Sequence, residues 1–267
     1  MIKYLKQAIF AIVFIENTAS FMPKHSFSFR KFAVHQSRSA MKVGTDSVLL
    51  GSWADLKDAS SVLDIGTGTG ILSLISAQRN PNAPITAIEI DADAAADAQD
   101  NFRSSSWEHR FTLLNYDFCT FIKESSAPYP LSRSFEYIIS NPPYFSNSLL
   151  SPDRKRSMAR HTDSLSYRDL MRGASRLLAK NGILGLIVPT DCAADIRSMA
   201  FEYGLYTRRQ ASVCSRPNGG SERTLLEFSF SLSLCRTEEF TIHTAAGCYS
   251  SRFIELTEEI YAEGYFR

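Results

Sequence analysis

The tetrapeptide Asn141-Pro142-Pro143-Tyr144 combines residue types that could hold a reacting amine. It follows residues 137–139, which are apolar and predict a short buried strand. The Asn141 side-chain oxygen and the Pro142 carbonyl could accept hydrogen bonds from the two N–H groups of a planar amine and pull its nitrogen toward a tetrahedral shape. Prolines stiffen this loop, and the Tyr144 ring offers a face on which an extruded base could stack. The tetrapeptide thus favours methyl transfer to a planar amino group, with an ordinary strand-ending turn as the alternative.

A second motif lies upstream, where an apolar strand at residues 61–65 runs into a glycine-rich turn and then an apolar helix. Its glycines, Gly66, Gly68 and Gly70, have the spacing Gly-x-Gly-x-Gly rather than the Gly-x-Gly-x-x-Gly of dinucleotide folds. Glycine lets a ligand approach the backbone closely. S-adenosylmethionine has no phosphate but carries an amino group that an acid such as Asp64 could help bind. The turn therefore favours S-adenosylmethionine over a dinucleotide.

Two more acids end the next two predicted strands. Glu89 ends the strand 84–89, where a ribose diol would be held, and Asp117 ends the strand 111–117, where it could accept from an adenine amine. Either acid alone is more often a helix cap or a solvated loop charge. Three acids at successive strand ends, all before Asn141, favour a cofactor site.

With these motifs the chain resembles the class I S-adenosylmethionine-dependent methyltransferases, in the amino-methylating group that carries Asn-Pro-Pro-Tyr. The resemblance covers nearly everything after about Pro23. It implies that Asn141, Pro142 and Tyr144 hold the target amine. It also implies a cofactor site made by Asp64, Gly66, Gly68, Gly70, Glu89 and Asp117.

The stretch before the glycine turn narrows the resemblance. Residues 32–36, Phe-Ala-Val-His-Gln, and residues 42–46, Lys-Val-Gly-Thr-Asp, resemble the tRNA1(Val) (adenine(37)-N6)-methyltransferase family, in which this segment lies over the cofactor. The resemblance implies transfer to N6 of the adenine next to the anticodon, with tRNA as the partner. Methylation of rRNA, DNA adenine or a protein glutamine is the alternative within the motif group. A non-catalytic RNA-binding module and a nicotinamide dehydrogenase are the alternatives outside it.

Length and composition predict one domain of the α/β class. The chain has 267 residues, 44% of them hydrophobic, which is enough for one large core. The resemblance implies a doubly wound, seven-stranded, mostly parallel sheet that ends in an antiparallel hairpin. We expect an extension at residues 1–22 and a single domain at residues 23–267, with residues 23–58 as a leader. Further elements predicted by pattern are a helix at 165–178, a strand at 183–189, a helix at 192–203, paired strands at 205–214 and 223–232, and a helix at 253–266.

Residues 1–22 have the outline of a signal peptide, since Lys3 and Lys6 precede an apolar run at residues 8–15. That run is too short to span a bilayer as a helix. Because S-adenosylmethionine is a cytoplasmic metabolite, we favour a natural start at Met22 and a cytoplasmic protein without membrane or stable protein partners. The five cysteines show no metal-type pairing and suit reduced thiols.

Net charge gives little help with an RNA partner, because the formal charge is only +1. The polar segment 146–168 nevertheless concentrates cations beside the expected catalytic edge, including Arg154, Lys155 and Arg156. We expect this loop to contact phosphates, although a solvated charge run would have the same composition.

Overall fold

The computed structural model describes residues 26–124, 135–143 and 165–266. Residues 1–25 lie outside this range, so the extension and the start at Met22 stay predictions. In chain order the elements are β1 (Ser26–Ser28), β2 (Ala33–His35), α1 (Thr45–Trp53), β3 (Val62–Ile65), α2 (Ile71–Arg79), β4 (Ile85–Glu89), α3 (Ala92–Arg103), β5 (Phe111–Asn115), α4 (Phe118–Glu124), β6 (Phe135–Ser140), α5 (Tyr167–Leu177), β7 (Leu178–Pro189), α6 (Ala193–Glu202), β8 (Tyr206–Cys214), β9 (Arg223–Ser229), β10 (Arg236–Thr241) and α7 (Ser251–Thr257).

The main sheet is a mixed, mostly parallel one in the order β10-β8-β9-β7-β6-β3-β4-β5. Strands β7, β6, β3, β4 and β5 run parallel to one another, and β9 runs antiparallel to both β7 and β8. The α/β class, the parallel core and the antiparallel C-terminal pair are therefore confirmed.

The sheet has eight strands where seven were expected, because β10 adds an edge strand parallel to β8. Its sequence, Arg-Thr-Glu-Glu-Phe-Thr, buries only Phe240. Charged side chains are common on edge strands, where they discourage pairing with other chains. The usual apolar alternation of a strand is therefore missing here, and the residue pattern does not predict this strand.

The sheet order reverses at β3, which has β4 on one side and β6 on the other. Because these strands are parallel, their carboxyl ends lie at the same edge of the sheet. In doubly wound folds this reversal point opens a crevice in which ligands bind. The glycine turn after β3, Glu89 at the end of β4 and Asn141 after β6 all belong to this edge.

The leader is held against helix α3 by two buried polar side chains. Asp97 Oδ2 accepts hydrogen bonds from the backbone N–H of Arg38 at 3.0 Å and of Ser39 at 2.8 Å. Asn101 Oδ1 accepts from the backbone N–H of His35 at 2.7 Å. Buried polar groups that are paired in this way define one position for the segment they bind.

The last helix is shorter than predicted, since α7 ends at Thr257. The chain then makes turns, with Gly264 at φ +84°. Tyr261 is buried and its ring stacks on that of Tyr265 at 3.9 Å between centroids, so these rings contribute to the packing of the C-terminal region.

Gly70 gives a stability prediction. It has φ +83°, and a Cβ there would lie 2.5 Å from the ring of Phe102, which is itself buried and stacked on Phe111. A side chain in the left-handed region costs about 1–2 kcal/mol, and overpacking costs about 1–3 kcal/mol. We expect Gly70→Ala to lower the free energy of unfolding by about 3 kcal/mol, measured by urea denaturation.

Gly220→Ala is the matched control, because a Cβ at Gly220 would meet nothing within 4 Å. Its free energy of unfolding should stay within about 0.5 kcal/mol of the wild type. Equal stability of the two variants would contradict the close packing of Gly70 on Phe102.

Candidate active site at the carboxyl edge of the sheet

The glycine turn is supported from behind by Asp64. This carboxylate is fully buried, and its Oδ2 accepts from the hydroxyls of Thr67 at 2.6 Å and Ser73 at 2.7 Å. Its other oxygen, Oδ1, is buried without a hydrogen-bond partner in the structure. Asp64 thus fixes the shape of the turn, and it retains one acceptor atom.

Gly66 and Gly68 form the open face of this turn. Both have positive φ values, +70° and +57°, and a Cβ at either residue would meet nothing within 4 Å. These positions leave space through which a ligand could approach the backbone. Gly70 differs, because Phe102 occupies the space beside it.

Glu89 connects the end of β4 to the turn. Its Oε2 accepts from the backbone N–H of Gly68 at 2.8 Å, and its Oε1 accepts from that of Asp91 at 2.9 Å. A carboxylate has about four acceptor positions. Glu89 can therefore hold the turn and still accept from the hydroxyls of a ligand.

Asn141 follows β6 beside the turn. The preceding residue, Ser140, donates its hydroxyl to the carbonyl of Ile65 at 2.7 Å, which joins the ends of β6 and β3. The Asn141 Nδ2 donates to Ser47 Oγ at 3.0 Å. The amide is therefore placed between the end of the sheet and helix α1.

A cavity of about 490 Å³ lies at this edge. This is within the range of about 300–1,000 Å³ that is typical of small-molecule sites. Of the sequence-predicted site residues, the structure brings six to its wall: Gly66, Gly68, Glu89, Asp117, Asn141 and Pro142.

Three predicted site residues are not placed on this wall. Asp64 and Gly70 are not among the described lining residues and lie in the framework of the turn. Tyr144 lies outside the described residues, as do Arg154, Lys155 and Arg156. Their roles stay predictions.

Asp117 both lines the cavity and caps helix α4. It accepts from the backbone N–H of Thr120 at 2.8 Å and from its hydroxyl at 2.7 Å. Burial raises the pKa of Asp117, but the hydrogen bonds from Thr120 and Cys119 outweigh it and hold this pKa below its usual range. The carboxylate is therefore ionised at neutral pH.

The charge of the wall indicates what kind of ligand suits it. The described lining residues include the acids Glu89, Asp91 and Asp117, and none of them is a lysine, arginine or histidine. A dinucleotide pyrophosphate would meet carboxylates here without a compensating cation. A ligand with hydroxyls, amines and positive charge, such as S-adenosylmethionine, fits the donor set.

Comparison with known proteins agrees with this geometry. Residues 35–195 match the family model described as "Methyltransferase small domain". A relative from Bacteroides thetaiotaomicron named tRNA1(Val) (adenine(37)-N6)-methyltransferase is 44% identical over 236 residues, which are 88% of this chain and 96% of the relative. This chain belongs to the tRNA1(Val) (adenine(37)-N6)-methyltransferase family. A member with the same name from Aeromonas hydrophila is 41% identical over 88% of this chain and 96% of its own length.

A solved structure supports the fold. A predicted O-methyltransferase from Agrobacterium tumefaciens matches 81% of this chain and 97% of its own with a TM-score of 0.62. Its identity of 22% shows the shared class I methyltransferase fold alone. The fold implied by the family resemblance is therefore confirmed.

The structure adds leader residues to the site. Ser39, Ala40 and Met41 line the cavity, and Ser47 contacts Asn141. The family resemblance had indicated that the leader lies over the cofactor. No residue pattern pointed to Ser47, because its contact joins positions 94 residues apart in the chain.

Two negative findings complete the description. Within residues 26–124, 135–143 and 165–266, no group of three or more His, Cys, Asp and Glu side chains could hold a metal ion. No helix in the same part of the chain has the length and apolar character needed to cross a membrane.

Asp64 gives a prediction of pH dependence. Burial raises the pKa of this carboxyl to about 6, above its value of about 3.9 in an unfolded chain. The folded state therefore holds the proton more tightly, and the stability from protonation is lost as pH rises through about 6. Relative to Asp64→Asn, the wild-type free energy of unfolding should fall by about 2 kcal/mol between about pH 4 and about pH 7.

Urea denaturation of both proteins across this pH range measures the difference. Taking the difference cancels the other carboxylates, which the two proteins share. Parallel pH profiles would mean that Asp64 does not titrate as a buried acid.

Proposed function

We propose that this protein transfers a methyl group from S-adenosylmethionine to the N6 amine of adenine-37, next to the anticodon of tRNA1(Val). The relatives at 44% and 41% identity carry the name of this activity and match nearly their whole length. The observation that carries the proposal is that Asn141 and the glycine turn line the same cavity. Methyl transfer requires the donor and the acceptor to be bound in one cavity.

The cofactor would be held by the residues at the ends of β3, β4 and β5. Gly66 and Gly68 would admit it to the backbone, and Glu89 would accept from its ribose hydroxyls. Asp117 would accept from its adenine amine, and Asp64 is the candidate for its amino group through the unpaired Oδ1. Gly70 would contribute by closing the turn against Phe102.

The residues after β6 would hold the target base. When bound, S-adenosylmethionine supplies a methyl group made electrophilic by its sulfonium sulfur. Asn141 Oδ1 and the Pro142 carbonyl would accept from the two N–H groups of the adenine amine, and Tyr144 would stack on the ring. The chain then contributes mainly orientation, and the nitrogen can release its proton to water after transfer.

The partner is a tRNA, and we place the activity in the cytoplasm, where the donor and the substrate occur together. The Arg154 to Arg156 segment is our candidate for phosphate contacts. No membrane or stable protein partner is part of the proposal.

The experiment is to incubate the protein with radiolabelled S-adenosylmethionine and total tRNA, and then to map the labelled nucleoside. The proposal expects N6-methyladenosine at the position next to the anticodon of tRNA1(Val). Label in rRNA, in DNA or in protein glutamine, with none in tRNA, would assign the site to another planar amine. No label in any of these substrates would refute the enzymatic proposal.

A further inference from the structure

The side chain of Asn141 is held by a residue of the leader helix. Its Nδ2 donates to Ser47 Oγ at 3.0 Å, and Ser47 is only 8% exposed. The hydrogen bond is partly buried, since Ser47 lies in the interior while Asn141 lines the cavity. The contact joins α1 to the carboxyl end of β6, where the methyl acceptor is proposed to bind.

Helix α1 keeps the Ser47 hydroxyl in a fixed place. Next to Ser47, Asp46 Oδ2 accepts from Arg223 Nε at 2.8 Å, which fastens the first turn of the helix to the start of β9. Farther along, the Gly51 carbonyl accepts from Arg79 Nη1 at 2.8 Å.

The C-terminal end of α1 is held as well. The carbonyl of Trp53 accepts from Arg209 Nη2 at 2.6 Å, and Arg209 pairs with the fully buried Glu227. Polar contacts therefore hold both ends of the helix that carries Ser47.

The side-chain amide of asparagine accepts hydrogen bonds through its oxygen and donates them through its nitrogen. The proposed reaction needs its oxygen to accept from the adenine amine. If the amide rotated by half a turn, Nδ2 would replace Oδ1 and would meet an N–H donor of the substrate. An acceptor that binds Nδ2 opposes this rotation, because it keeps the nitrogen away from the substrate.

We infer that Ser47 is a positioning residue that holds the Asn141 amide by its nitrogen, so that Oδ1 is the atom presented to the methyl-accepting amine. This inference rests on the proposed function and deepens it. Ser47 acts through Asn141 and is not itself required to touch the substrate or the cofactor.

A purely structural role for Ser47 would give a different result. A serine that only fills space in α1 would change stability when replaced, without a specific effect on turnover. Replacing a positioning residue lowers kcat, because a misoriented Asn141 amide does not accept from the amine as its nitrogen becomes tetrahedral. Cofactor affinity stays unchanged.

The experiment compares kcat, KM and S-adenosylmethionine affinity for Ser47→Ala and wild type. We expect kcat to fall about tenfold, with KM and Kd for S-adenosylmethionine within about twofold of wild type. Ser47→Cys keeps nearly the same volume but offers a weaker acceptor, so it should show the same pattern with a smaller loss. If Ser47→Ala does not fold, the cysteine variant decides.

Ser52→Ala is the matched control. Ser52 lies on the same helix, is also buried, and its hydroxyl has no hydrogen-bond partner in the structure. Its removal should leave kcat unchanged. A wild-type kcat in the Ser47 variants, or an equal loss in Ser52→Ala, would overturn the inference.

These outcomes separate the inference from the function on which it rests. If Asn141→Ala is inactive while both Ser47 variants turn over normally, the positioning role alone fails. If Asn141→Ala itself turns over normally, the proposed role of the tetrapeptide fails first.

Discussion

Asn141→Ala should lower turnover by about a thousandfold while S-adenosylmethionine still binds. The lone pair of the adenine amine is delocalised into the ring, so attack requires an acceptor aimed at its N–H. Removing one such polar group from a preorganised site typically costs about 10²–10³ in kcat. The alanine side chain has no oxygen that could accept from the adenine amine. It also lacks the nitrogen that contacts Ser47.

Single-turnover methylation of tRNA with labelled S-adenosylmethionine measures the rate, and calorimetry measures cofactor affinity. We expect the cofactor Kd of Asn141→Ala to stay within about twofold of wild type. Asn181→Ala is a suitable control, because Asn181 is exposed in the first half of β7, away from the carboxyl edge. Near-normal turnover of Asn141→Ala would remove the residue from the reaction.

Glu89→Ala should weaken S-adenosylmethionine binding at least about a hundredfold, which corresponds to about 2.7 kcal/mol. The carboxylate is only 8% exposed and bonds the backbone of Gly68 and Asp91 as well as facing the cavity. Its loss therefore removes a ribose acceptor and also frees part of the glycine turn. Hydrogen bonds to charged groups contribute about 1.5–3 kcal/mol each.

Calorimetric titration with S-adenosylmethionine gives this affinity directly. Glu89→Gln retains one acceptor oxygen and the shape of the side chain. Its affinity for S-adenosylmethionine should therefore fall by less, about tenfold. Glu108→Ala, at an exposed position outside the cavity lining, is the control and should bind normally. Unchanged affinity in Glu89→Ala would place the ribose elsewhere.

The parts of the site that could be predicted from sequence share one physical reason. Gly66, Glu89 and Asn141 each follow a short apolar stretch, and parallel strands bring their carboxyl ends to one edge. Local pattern and fold topology together are enough to place these residues. The same reasoning does not determine which atoms face the cavity. Asp64 and Gly70 are not among the described lining residues, and their place in the cofactor site stays a prediction.

The features that could not be predicted from sequence depend on contacts between distant segments or on weak residue patterns. Ser47 meets Asn141, and Asp97 holds Ser39, through pairings that no spacing rule connects. Strand β10 is charged because it is an edge, and it therefore lacks the alternation that would reveal it. Helix α7 ends early because aromatic packing governs the last residues of the described chain.

The most direct test of the central claim is a crystal structure of the protein with S-adenosylhomocysteine. The claim is that the methyl donor sits on the glycine turn and faces the Asn141 amide. The expected structure has the ligand against Gly66 and Gly68, its ribose hydroxyls bonded to Glu89, and its sulfur directed toward Asn141. A ligand bound away from this turn, or an Asn141 side chain directed away from the sulfur, would contradict the account.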